Sequence, residues 1–94
     1  MLYVLMCKDK PDSQALRLAT RDAHLAYVGS NAGAIRLAGP MLSDDGESML
    51  GSLFLIEAPD ASAVRAFNAD DPYTRAGLWG SVVIHPFRQV VPRE

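Results

Sequence analysis

The chain has little of what several common folds and functions require. It holds one cysteine, Cys7, so no intrachain disulfide can form and no cysteine knuckle can hold zinc. Nowhere do apolar residues run for the roughly 20 positions that a membrane-spanning helix needs. Lysine and arginine number 9 against 11 aspartates and glutamates, a formal charge of -2, and the basic residues are scattered. A nucleic-acid surface concentrates basic residues in a stripe with aromatic platforms. Neither is visible, and aromatics are only 7%, so that class of partner is set aside. The opening Met-Leu-Tyr-Val-Leu-Met-Cys-Lys-Asp-Lys has no basic leader before its apolar run and no small-residue cleavage site, unlike a secretory signal. With a lone cysteine besides, the expectation is a cytoplasmic protein.

What is present suits a globular domain: 49% hydrophobic and 21% charged residues in a chain of 94. A chain this short is expected to form a single domain over residues 1–94. Alone it would bury only about 60–65% of its unfolded surface, so association would add to a thin stability margin. Residues 2–7 are a run of strand formers ended by charges and a proline, and read as a strand buried on both faces or nearly so. Asp12 or Ser13 can cap a helix over residues 14–29. Its apolar side would carry Leu16, Ala19, Ala23, Ala26 and Tyr27, with Leu18 and Leu25 beside them; Arg17, Arg21 and Asp22 mark the polar side. The glycines at 29 and 33 bracket its end and a loop.

Residues 34–41 read as a second strand, 43–48 as a polar hairpin turn, and 49–57 as a third strand, apolar enough for an interior position. Asp60 is the expected cap of a second helix that runs through Phe67 and fails at Asn68-Ala69-Asp70. Asp71-Pro72 has the form of a fresh cap with proline at the first helical position, where its missing amide proton does no harm. That short turn stops at Gly77, residues 79–87 form the last strand, and Val90-Val91-Pro92 is a tail. The order β-α-β-β-α-β defines an α+β fold, the ferredoxin-like sandwich, with both helices on one face of an antiparallel sheet. No helix remains for the other face. A second copy of the chain is therefore expected to cover it, giving a homodimer through the sheet face or a higher oligomer.

Few residues can carry chemistry. His24 lies on the first helix, with Arg21 three positions before and Tyr27 three after, all on neighbouring positions of one side. In this fold the break after the second helix can approach the first helix, bringing Asp70 or Asp71 to His24. A carboxylate on one imidazole nitrogen fixes the tautomer and leaves the other nitrogen free to exchange a proton near neutral pH. Asp71 can cap the turn at the same time, since a carboxylate has two oxygens and about four acceptor positions. His85 shares a strand face with Val83 and Phe87 and reads as a packed or edge histidine. No ligand spacing supports a metal held by both histidines and a carboxylate, so no metal is expected. Asp44, Asp45 and Glu47 lack the ligand pattern of a calcium loop and read as a solvated hairpin. Ser52 has no nucleophile elbow around it and is a ligand-contacting or structural hydroxyl. Cys7 reads as an inert core residue. Tyr73 and Trp79 would line a pocket or join the core.

Five blocks then resemble a known family: RDAHLAYV at residues 21–28, LAGPM at 37–41, GSLFLIEA at 51–58, DDPYTRAGL at 70–78 and IHPF at 84–87. In this order they are similar to the YCII-related proteins, small dimeric α+β-barrel proteins, over nearly the whole chain. The resemblance implies subunits paired sheet to sheet and an active-site His–Asp pair in a cleft. Carried over, the pair is His24 and Asp71, the aspartate before proline. Gly39, Pro40 and Ser52 match blocks lining the same cleft, Arg21 and Tyr27 flank the histidine, and Tyr73 belongs to the Asp-Pro-Tyr block. The family includes a dehydrochlorinase acting on chlorinated hydroxyhydroquinones. The expectation is a cofactor-independent enzyme for a small cyclic or phenolic substrate, working by elimination or isomerisation. His24 would be the acid/base and Asp71 its orienting partner; Arg21, Tyr27, Gly39, Pro40, Ser52 and Tyr73 would contact the substrate. The alternative is a non-catalytic, dimeric ligand-binding or stress-associated module in which the pair is a structural hydrogen bond. A haem-handling or oxygen-using relative of the same architecture is a third.

Overall fold

In the first strand, β1 (Leu2–Asp9), burial alternates: Tyr3, Leu5 and Cys7 are buried, Leu2 and Val4 half-buried, and Met6 exposed. This corrects the expectation of a strand buried on both faces. A pleated strand points successive side chains to opposite faces, and only one face of this sheet is covered within the chain. A computed structural model describes residues 1–93. After β1 come α1 (Gln14–Ser30), a 3-10 turn (Ala32–Ala34), β2 (Ile35–Leu42), β3 (Met49–Glu57), α2 (Ala61–Asp70), α3 (Pro72–Arg75) and β4 (Trp79–Phe87). The strands form one four-stranded antiparallel sheet in the order β2-β3-β1-β4, which is the ferredoxin-like arrangement. β3 is interior, as its apolar composition suggests.

The core lies between the sheet and α2. Tyr3, Leu5 and Cys7 stand opposite Ile56, Phe54 and Ser52 in register, and Val64 of α2 is fully buried against them. Asp60 caps α2 by accepting the Ala63 N–H at 2.9 Å. The helix does not fail at Asn68 but runs on to Asp70. The Asn68 side chain has tertiary partners, accepting from Thr74 Oγ1 at 3.4 Å and from Cys7 Sγ at 3.6 Å, and these outweigh its weak helix propensity. Ser13 occupies the cap position of α1 without a capping side-chain bond; Gln14 ties the helix start to the sheet by donating to the Met49 carbonyl at 2.7 Å.

The largest difference from expectation is the face that α1 presents. Arg17 and His24 are its buried residues, while Leu16, Leu18 and Leu25 are exposed. The helix is rotated so that its polar stripe faces inward, because the partners waiting there are two carboxylates and a hydroxyl. On the opposite, helix-free face of the sheet, Met6, Leu37, Val83 and Phe87 are exposed and Val4, Leu53 and Leu55 half-buried. Among the described residues no helix is long and apolar enough to cross a membrane.

One glycine is required by close approach. A Cβ on Gly51 would fall on the Cys7 carbonyl oxygen of the neighbouring strand and 2.7 Å from Met41 Cε. The methionine tip can move; the carbonyl belongs to the β1–β3 ladder and cannot. Gly51→Ala should therefore destabilise the protein by about 1–3 kcal/mol, the usual range for overpacking, read as a lowered urea midpoint.

Candidate active site

The site is assembled where α3 begins beneath α1. Asp71 precedes Pro72, and its Oδ1 accepts the Tyr73 N–H at 2.9 Å as the cap of the turn. The same oxygen lies 2.8 Å from His24 Nδ1. Asp71 is thus both cap and histidine partner, and it is completely buried. Asp70 takes no part: it is exposed and pairs with Arg75 at 3.0 Å. Oδ2 of Asp71 is sealed from solvent with no hydrogen-bond partner, which directs the carboxylate's interactions through Oδ1. With Nδ1–H donating to that carboxylate, Nε2 is the remaining ring nitrogen, and it has no partner among the described residues. The imidazole is held flat against Tyr73, with ring centroids 3.9 Å apart and 18° between planes, and meets Phe54 edge-on at 6.1 Å.

Two residues that the sequence did not single out complete the arrangement. Arg17 lies on α1 seven positions before His24, hence on the same helix face. Its Nε and Nη2 donate to the Asp9 carboxylate at 2.7 and 2.9 Å, and Nη2 also donates to Ser52 Oγ at 3.0 Å. The pair is buried, with side-chain exposures of 3% and 5%. Burial works against the guanidinium charge, but the hydrogen-bonded Asp9 carboxylate more than offsets it and the Arg17 pKa is raised. The guanidinium also sits over the Tyr73 ring at 4.7 Å and near the Trp79 ring at 5.8 Å. Burial raises the Tyr73 pKa, and the positive charges of Arg17 and Arg21 oppose that rise. The available signal was positional: an arginine two helical turns from the candidate histidine.

These groups border a cleft of about 90 Å³, smaller than the roughly 300–1,000 Å³ typical of drug-sized ligands. Arg21 and His24 of α1, Gly39 and Pro40 of β2, Ser52 of β3 and Tyr73 of α3 all line it. Tyr27 does not. Its hydroxyl donates to the Phe67 carbonyl at 2.7 Å and its ring stacks on Phe67 at 5.2 Å, so it fastens α1 to α2. Trp79 packs against the core with its indole N–H on Thr74 Oγ1 at 2.8 Å. His85 pairs in register with Val4 on the helix-free face and is exposed there, across the sheet from His24. Among the described residues no three His, Cys, Asp or Glu side chains gather as a metal site. Cys7 is buried, and its thiol is pushed up to about 12 by that burial and then by the negative charge of Asp71. It stays protonated and unreactive near neutral pH.

The structure is that of a small α+β protein with a ferredoxin-like sheet and a buried His24–Asp71 contact beside a small cleft. The YCII-related domain family matches residues 1–88, and the chain belongs to that family. Protein YciI of Escherichia coli is 36% identical over 97 aligned positions, spanning 96% of this chain and 99% of its own. An uncharacterized protein of Haemophilus influenzae is 33% identical with the same coverage. Among solved structures, a 5-chloro-2-hydroxyhydroquinone dehydrochlorinase from Burkholderia phenoliruptrix AC1100, in complex with 2,5-dihydroxybenzoquinone, superposes with a TM-score of 0.87 at 33% identity over 94% of each chain. An antibiotic biosynthesis monooxygenase, at 18% identity and a TM-score of 0.51, shares the fold alone.

Proposed function

We propose that the protein is a cofactor-independent enzyme of the cytoplasm that removes a proton from a small cyclic or phenolic molecule, leading to elimination or isomerisation. The observation that carries this is the buried His24–Asp71 contact at 2.8 Å, which leaves Nε2 as the available base beside a small cleft. Nε2 takes a proton from a substrate C–H or O–H bond, and the released electron pair forms a new double bond. In elimination the leaving group departs with its own pair as an anion; in isomerisation the proton returns at another atom. The Asp71 carboxylate stabilises the imidazolium formed in between. The similarity to a dehydrochlorinase, whose structure holds a small planar molecule, supports this substrate size and reaction class.

The test is chloride release from 5-chloro-2-hydroxyhydroquinone. Turnover is expected in the wild type and should fall by about 10²–10⁴-fold in His24→Asn. Release no faster than the spontaneous rate across a panel of chlorinated hydroquinones would instead favour a binding module.

We further propose that the working form is a homodimer joined through the helix-free sheet face. Four large apolar side chains there, Met6, Leu37, Val83 and Phe87, are between 37% and 53% exposed, which is unfavourable in water as a contiguous patch. Sedimentation should show a dimer for the wild type and a shift to monomer for Met6→Glu. A wild-type monomer at micromolar concentration would defeat the idea.

A further inference from the structure

The inner end of the cleft is built of hydrogen-bond donors. Arg17 commits Nε and Nη2 to Asp9 and Ser52. Its Nη1 amino group has no carboxylate or carbonyl acceptor among the described residues, the Tyr73 hydroxyl being the one further group that hydrogen-bonds the guanidinium, and it is not one of the sealed polar atoms. Arg17 lines the cleft. The Ser52 oxygen is occupied as an acceptor by Arg17 at 3.0 Å, so the hydroxyl proton is turned elsewhere, and no acceptor meets it among the described residues. Ser52 is 3% exposed, and the cleft it lines is the opening available. The Tyr73 hydroxyl oxygen has the Arg17 guanidinium as its hydrogen-bonding neighbour; a guanidinium only donates, so the hydroxyl proton is left without an acceptor among the described residues. Arg21, one helical turn beyond Arg17, adds a second guanidinium to the lining and has no carboxylate partner among the described residues. The lining includes no carboxylate and no side-chain amide. Asp9 binds the Nε and Nη2 edge of Arg17, the edge away from Nη1.

We infer that this end of the cleft is an oxyanion subsite, in which Arg17 Nη1, the Ser52 hydroxyl and the Tyr73 hydroxyl hold a phenolate, enolate or carboxylate oxygen of a small planar substrate, with Arg21 as a second positive charge. Buried donors lose their water when a ligand enters, and a neutral apolar molecule would leave them unpaired; an anionic oxygen satisfies several of them with charge-assisted bonds. Arg17 acts in two ways: it binds directly through Nη1, and through Nη2 it forces the serine to donate into the cleft. The proton-abstraction role of His24 is the reading on which the orientation rests, since an oxygen fixed here presents the neighbouring C–H or O–H bond to Nε2.

Calorimetry with 2,5-dihydroxybenzoquinone, benzoate and the neutral isostere benzamide tests the subsite without needing turnover. Both anions should bind the wild type at least about tenfold more tightly than benzamide, and added salt should narrow the gap. Ser52→Ala and Tyr73→Phe, which remove single hydroxyls, should each weaken the anions about tenfold and change benzamide by no more than about twofold. Arg21→Gln should lower anion affinity and its salt dependence together. His24→Asn should keep the anion preference while losing chloride release, so the subsite and the catalytic reading fail separately. Equal binding of benzoate and benzamide, no anion binding, or unchanged anion affinity in both hydroxyl variants would each overturn the subsite.

Discussion

Asp71→Asn is expected to keep the fold and lose about 10³–10⁴-fold in turnover, the scale set by the same change in a hydrolase His–Asp pair. The side chain is isosteric, and its oxygen can still accept the Tyr73 N–H that Asp71 accepts at 2.9 Å. It cannot carry the charge that stabilises an imidazolium. Its amide nitrogen also has two bad choices. In the place of Oδ2, which is sealed and without any partner, its two N–H bonds go unpaired, at about 1–3 kcal/mol. Turned toward His24 Nδ1, it makes that nitrogen the acceptor, moves the ring proton to Nε2, and leaves no base facing the substrate. Asp71→Ala separates cap from charge: it strips an N-cap worth about 1 kcal/mol and leaves two buried donors unpaired, so its urea midpoint should fall well below that of Asp71→Asn. Imidazole ¹⁵N spectra would report the tautomer directly. Turnover near wild type in Asp71→Asn, with only Asp71→Ala impaired, would reduce Asp71 to a cap.

Much of this was legible because the chemistry is local. The Asp60 and Asp71-Pro72 caps depend on amides two or three residues away, and the bounds of β3 and β4 follow from apolar runs broken by turn residues. The order of elements then leaves few ways to pair the strands. The orientation of α1 was not legible. A stripe of Leu16, Ala19 and Ala23 is a sound hydrophobic face by periodicity, but the inward face is decided by Asp9, Ser52 and Asp71, which lie 8, 35 and 47 positions from the residues they bind. No window of helical length contains that information beyond Asp9. The same holds for Asn68, whose partners at Cys7 and Thr74 extend α2 past its expected end. Asp71 was separable from Asp70 only by the proline after it and by family resemblance, and Tyr27, flanking His24 in sequence, turned its hydroxyl to α2 instead.

Arg17→Met should destabilise the protein by about 3–5 kcal/mol, the usual result of removing one member of a buried ion pair. Asp9 would remain as a carboxylate in a site only 5% exposed, with its two guanidinium bonds at 2.7 and 2.9 Å gone. Against a total stability of about 5–15 kcal/mol for a protein of this kind, that is a large share. The reverse single change, Asp9→Asn, should be milder, because the Arg17 charge keeps Ser52, the Tyr73 ring and an opening to the cleft. The informative variant is the double one. Asp9→Leu with Arg17→Met replaces a buried ion pair by apolar groups of similar bulk, an exchange that is often neutral or stabilising, so the urea midpoint should return most of the way to wild type. An Arg17→Met midpoint equal to wild type would mean the pair does not fasten α1 to the sheet. If the double variant is stable but no longer prefers benzoate to benzamide, the pair is dispensable for folding. Its presence in this chain is then explained by the donors it aims into the cleft.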